Sequence, residues 1–127
     1  MQIPPKKTMV CVTVQKTCER LIKEGAAISG DEGLSVVHVV RNGGSVLGGE
    51  SDAEALDYLF SVSRTYGAEM DMLRSDEVIA TIVDFAVKNK IEYLVVGGPV
   101  GRSERDVGAQ LRARLPQVRI FVVPSVG

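Results

Sequence analysis

The chain has 127 residues, 45% hydrophobic and 24% charged, the composition of an ordinary globular domain, and one domain fills that length. Fifteen basic residues face sixteen acidic ones, so the formal net charge is −1 and there is no broad basic field for holding nucleic acid. Aromatic residues are 5% with no Trp, which excludes a base-stacking platform. One His and two Cys exclude multi-histidine and four-thiolate metal sites.

The opening Met1-Gln2-Ile3-Pro4-Pro5-Lys6-Lys7 lacks the apolar core of a signal peptide. No apolar run approaches the roughly 20 residues of a membrane helix. The expectation is a cytoplasmic protein, without membrane insertion, whose Cys11 and Cys18 are thiols in a reducing compartment.

Thr8 to Val14 is a β-branched apolar run, too short for a buried helix and suited to a buried parallel strand. Thr17 is placed to cap a helix whose Cys18, Leu21, Ile22, Gly25 and Ile28 recur at helical spacing. Gly30 and Gly33 bracket a turn before a second strand, Leu34 to Arg41. Asn42 to Gly49 is a glycine-rich loop that reads as a lid, without the Gly-Lys-Ser/Thr ending of a P-loop. Ser51, with Glu54 three residues on, caps a helix to about Tyr66. Its apolar stripe is Leu56, Leu59, Phe60 and Tyr66, and Gly67 ends it.

Ala68 to Leu73 alternates as a third strand, with Met70 and Met72 on its core face. Ser75 or Asp76 caps the next helix, with Ile79, Ile82, Val83 and Ala86 inward. Ile91 to Val96 is the strongest strand signal, and Gly97-Gly98-Pro99-Val100-Gly101 a tight loop after it. A helix from Ser103 to Leu115 carries Val107, Leu111 and Leu115 four apart. Pro116 stops it, and Val118 to Val123 is the last strand.

Strand and helix alternate throughout, which implies an α/β fold: an open, doubly wound parallel sheet with helices on both faces. In such a sheet ligands bind in the crevice at the carboxyl ends of the strands, where the strand order reverses. The loop from Gly97 to Arg105 carries the most chemistry there. Glycines admit backbone N–H groups close to an anion, and the following helix N-terminus adds a positive dipole end. Arg102 and Arg105 add charge and Ser103 a hydroxyl, the makings of a phosphate cradle. The alternative is a tight turn whose glycines serve geometry alone. His38, among valines of the second strand, reads as structural or as close to the crevice. No serine sits in a nucleophile elbow, and the acidic starts Asp52, Glu54, Asp57 and Asp71, Asp76, Glu77 suit helix dipoles rather than metals.

Several segments together resemble the universal stress protein family. They are Met9-Val10-Cys11-Val12, Cys18-Glu19-Arg20-Leu21-Ile22, Val36-Val37-His38-Val39-Val40, Ile82-Val83-Asp84-Phe85-Ala86, Tyr93-Leu94-Val95-Val96-Gly97 and Ile120-Phe121-Val122-Val123-Pro124. The chain is similar in particular to the universal-stress-type domain of osmosensitive potassium sensor kinases. The resemblance spans residues 8 to 124 of a single domain, 1–127. It implies five strands in the order 3-2-1-4-5, a homodimer through residues 118–123, and a regulatory or sensor module with a protein partner. It also implies a site for ATP or AMP, with Mg2+ beside ATP, at the ends of the first and fourth strands. The residues it assigns are Thr13, Val14, Gln15, Val39, Gly97, Gly98, Gly101, Arg102, Ser103, Gly108 and Ala109.

The match to the ATP-binding members is partial. They carry an acid after the first strand, where this chain has Val14 or Gln15, and a Gly-x2-Gly-x9-Gly-Ser/Thr loop. Gly98 and Gly101 fit its first half. Leu111 and Arg112 stand where its last Gly and hydroxyl belong, and Gly108-Ala109 is the nearest substitute, three residues early. A hydrogen bond lost to a charged phosphate is worth roughly 1.5–3 kcal/mol, one to two decades of affinity. A mononucleotide held by glycines and the helix end therefore fits better than tight ATP binding. The alternatives are a partner-binding member with no nucleotide, or a weak ATP hydrolase. A cyclic dinucleotide, the ligand of some sensor-kinase domains, lacks its aromatic on Val36 to Val40.

Overall fold

A computed structural model describes residues 3–12, 18–40, 52–97 and 107–123. Five strands and four helices alternate: β1 (Thr8–Cys11), α1 (Cys18–Ser29), β2 (Leu34–Val40), α2 (Asp52–Thr65), β3 (Glu69–Arg74), α3 (Val78–Lys88), β4 (Tyr93–Gly97), α4 (Val107–Arg114) and β5 (Arg119–Val123). The strands form one parallel sheet in the order β3-β2-β1-β4-β5, as expected. The order reverses between β1 and β4, which pair from Thr8↔Tyr93 to Cys11↔Val96.

Strand alternation divides the core in two, because successive side chains leave a strand on opposite faces. On one face Met9, Val37, Leu94, Val96 and Ile120 meet Ile82 and Ala86 of α3 and Leu111 of α4. On the other, Val10, Leu34, Val36 and Val95 meet Ile22 of α1 and Leu59 and Val62 of α2. The central strands are buried on both sides, which is why β1 and β4 read as unbroken apolar runs.

The structure shortens β1 and corrects two inward-facing assignments. β1 ends at Cys11, although Val12 still donates its N–H to the Val37 carbonyl at 3.0 Å. Phe60 is 51% exposed, and the buried face of α2 runs through Leu59, Val62 and Ser63 instead. Ser63 is admitted because its hydroxyl donates to the Leu59 carbonyl at 2.8 Å, so no polar group is orphaned. Met72 is 41% exposed rather than a core residue, since β3 is an edge strand with one neighbour.

Beyond α2, Gly67 at φ +71 turns the chain so that the Ala68 N–H reaches back to the Ser63 carbonyl at 2.8 Å. α3 begins after Glu77, without a side-chain cap bond; Ser75 Oγ instead accepts from the Glu77 N–H at 3.0 Å. The expected caps Thr17 and Ser51, the loop Asn42 to Gly49 and residues 103–106 lie outside the described residues. No helix among the described residues is long and apolar enough to cross a membrane.

Candidate functional site

The carboxyl ends of β1, β2 and β4 open onto a cavity of about 180 Å3 on the α3 side of the sheet. Cys11 and Val12 come from the tip of β1, Val37 and Val39 from β2, and Val96 and Gly97 from the tip of β4. Val78 and Ile82, one turn apart at the start of α3, close the far wall. This is the crevice beside the reversal of strand order, where doubly wound sheets take their ligands. The described lining is aliphatic apart from one thiol and backbone groups, a surface for a flat apolar ring rather than for a charge.

Val39 and Gly97, two of the expected site residues, are brought together here. A Cβ built on Gly97 would meet only Leu21, at 3.5 Å, an ordinary contact. Crowding by its described neighbours therefore does not require glycine at 97. Gly108 and Ala109 fall within the first turn of α4, where Ala109 is exposed and apart from the cavity lining. Thr13, Val14, Gln15, Gly98, Gly101, Arg102 and Ser103 lie outside the described residues. Sequence reading missed Cys11, Val12, Val37, Val78, Ile82 and Val96. The period of two along the strands and the i, i+4 spacing of Val78 and Ile82 carry the signal that would have named most of them.

His38 is buried, 6% exposed, with its Nδ1 3.0 Å from the Val12 carbonyl oxygen. A carbonyl only accepts, so Nδ1 carries the proton of this bond. Among the described residues no group of three or more His, Cys, Asp or Glu side chains is placed to hold a metal.

Cys11 keeps some surface on the cavity, but its sulfur is packed into the core, and burial pushes the thiol up from 9.0 to about 12. At neutral pH it is a thiol, a poor nucleophile. The raised value means that the unfolded chain ionises first as pH rises. The proton-linked stabilisation is thus complete below about pH 9 and is lost towards pH 12. Wild-type protein should lose stability relative to Cys11→Ala across that window, measured by urea unfolding at each pH; a constant difference between the two would contradict the burial.

On the opposite face, a groove of about 370 Å3 lies between α1 and the edge strand β5. Its apolar walls include Ile28, Val95, Phe121 and Val123, with Arg20 and Glu24 beside them.

No family model matches the chain, and no curated protein matches it. Solved structures do. A universal stress protein in complex with cAMP aligns over 98% of this chain and 100% of its own, at 16% identity and a TM-score of 0.71. An Arabidopsis thaliana universal stress protein family protein with AMP bound aligns over 97% and 94%, at 14% identity and 0.61. The Archaeoglobus fulgidus universal stress protein in complex with dAMP aligns over 98% of both chains, at 23% identity and 0.53. At these identities the likeness is one of architecture: this chain has the fold of the universal stress proteins.

Proposed function

We propose that the chain, residues 1–127 as one domain, is a cytoplasmic regulatory module of universal-stress type. Its crevice takes an adenine mononucleotide, and it works as a homodimer with a protein partner. The observation that supports this most is the aliphatic cavity at the reversal of strand order, in a fold whose solved neighbours include complexes with cAMP, dAMP and AMP. The base lies against Val39, Val12 and the start of α3. Thr13, Val14 and Gln15 belong to the same nucleotide site. Gly97, Gly98, Gly101, Arg102 and Ser103, with Gly108 and Ala109, receive the phosphate. The absent acid and the shortened glycine loop favour AMP over ATP with Mg2+. The described lining offers no carboxylate or imidazole to activate water, which favours binding over hydrolysis.

Val39→Phe tests the assignment. A ring added inside a cavity of about 180 Å3 occupies the space of the base. Calorimetric titration with AMP, with ATP and Mg2+, and with cAMP should show saturable heat for wild type, strongest for AMP. Val39→Phe should weaken it at least tenfold, an effect of about 1.4 kcal/mol, with the far-ultraviolet spectrum unchanged. Unaltered AMP affinity in Val39→Phe would place the nucleotide elsewhere; product release from ATP would favour the hydrolase.

A further inference from the structure

His38 ties β2 to the residue that follows β1, between two neighbours, Val37 and Val39, that line the cavity. Its side chain leaves β2 on the α1 and α2 face, yet Nδ1 reaches the carbonyl of Val12, twenty-six positions away. Val12 is the first residue after the end of β1. Its N–H already donates to Val37, the residue before His38, at 3.0 Å. Both polar groups of the Val12 backbone are therefore held by adjacent residues of β2, and the next residue of that strand, Val39, lines the cavity with Val12. We infer that His38 is a positioning residue: its imidazole fixes the Val12 carbonyl at the tip of β1 and so holds the cavity-lining Val12 in place without touching the ligand. This rests on the nucleotide reading for its functional consequence, but the tether itself is a property of the free protein.

A buried imidazole on a strand could instead be packing alone, and the two roles separate by substitution. In His38→Asn the side-chain NH2 sits close to the position of Nδ1 and can donate to the same carbonyl, whereas His38→Leu keeps apolar bulk and has no donor. Both variants alter the core, so both lower the unfolding midpoint. Only His38→Leu frees the Val12 carbonyl, while the Val12 N–H keeps its bond to Val37 in both.

The carbonyl-carbon resonance of Val12 in the free protein should move upfield in His38→Leu, as a carbonyl does when a hydrogen bond to it is lost, and return towards its wild-type position in His38→Asn. AMP titration should show about a tenfold loss of affinity in His38→Leu, the order expected for one hydrogen bond, and recovery to within threefold in His38→Asn. An unmoved Val12 carbonyl resonance in His38→Leu, or equal changes in both variants, overturns the inference. If wild type is silent to AMP, the nucleotide reading and the affinity consequence fall together, while the Val12 carbonyl resonance still decides the tether.

Discussion

A lysine in place of Phe121 is expected to leave this chain monomeric in sedimentation equilibrium, at half the mass of the homodimer proposed for the wild type. The two sheet edges differ in what they offer a second copy. β3 presents Glu69, Asp71 and Arg74, charges that discourage edge-to-edge pairing. β5 presents Phe121, Val122 and Val123 in succession after the buried Ile120, beside an apolar groove on its α1 face. A two-fold axis at β5 would pair the same strand with its copy and cover both grooves at once. Phe121 stands at that edge, its ring edge-on to Tyr93 at 5.3 Å and under the Arg119 guanidinium at 5.2 Å. An unpaired ammonium there would have to be desolvated, at several kcal/mol. Because Phe121 also packs within its own chain, the far-ultraviolet spectrum must be followed in parallel. Met72→Lys, on the opposite edge, serves as control and should leave the mass unchanged. A dimer that persists in Phe121→Lys would rule out this interface.

The second large effect concerns Gly25. α1 crosses the sheet so closely there that a Cβ on residue 25 would overlap Val10 Cγ2 and lie 3.0 Å from Leu34 Cδ1. Val10 and Leu34 are both buried and have little room to withdraw. Gly25→Ala sets this overlap, which costs about 1–3 kcal/mol, against a helix-propensity gain of about 1 kcal/mol, so it should destabilise the fold modestly. Gly25→Val adds two more carbons and should destabilise the fold by about 3 kcal/mol, read as a lower urea midpoint at constant slope. An unchanged midpoint would mean that α1 does not sit on β1 as described.

What could be read from the sequence follows from how local each signal is. β1, β2 and β4 announce themselves as β-branched runs too short for helices, and the helices between them as stripes at helical spacing. Their alternation fixed the sheet class before any contact was known. Where hydropathy was followed residue by residue it misled. By hydropathy Phe60 belongs inward, but the period through Leu59, Val62, Ser63 and Tyr66 decides the face, and a back-bond to Leu59 makes the serine acceptable there. Met72 looks like core because the sequence does not say that β3 is an edge.

The crevice was legible by its place rather than by its lining. The fold rule locates it at the tips of β1 and β4, and Val39 and Gly97 were named from the family resemblance. Val78 and Ile82 belong to a different element, and nothing in their own segment relates them to β1. The bond from His38 to Val12 is longer-range still, joining residues that only the β1–β2 register brings together.

The most direct measurement is a crystal structure of the protein grown with saturating AMP. The expected result is one nucleotide per chain, its base against Val12, Val39 and Val78 and its phosphate beyond the tip of β4. Density for the base on any other face, or an empty crevice at a concentration that saturates binding in solution, would contradict the proposed site.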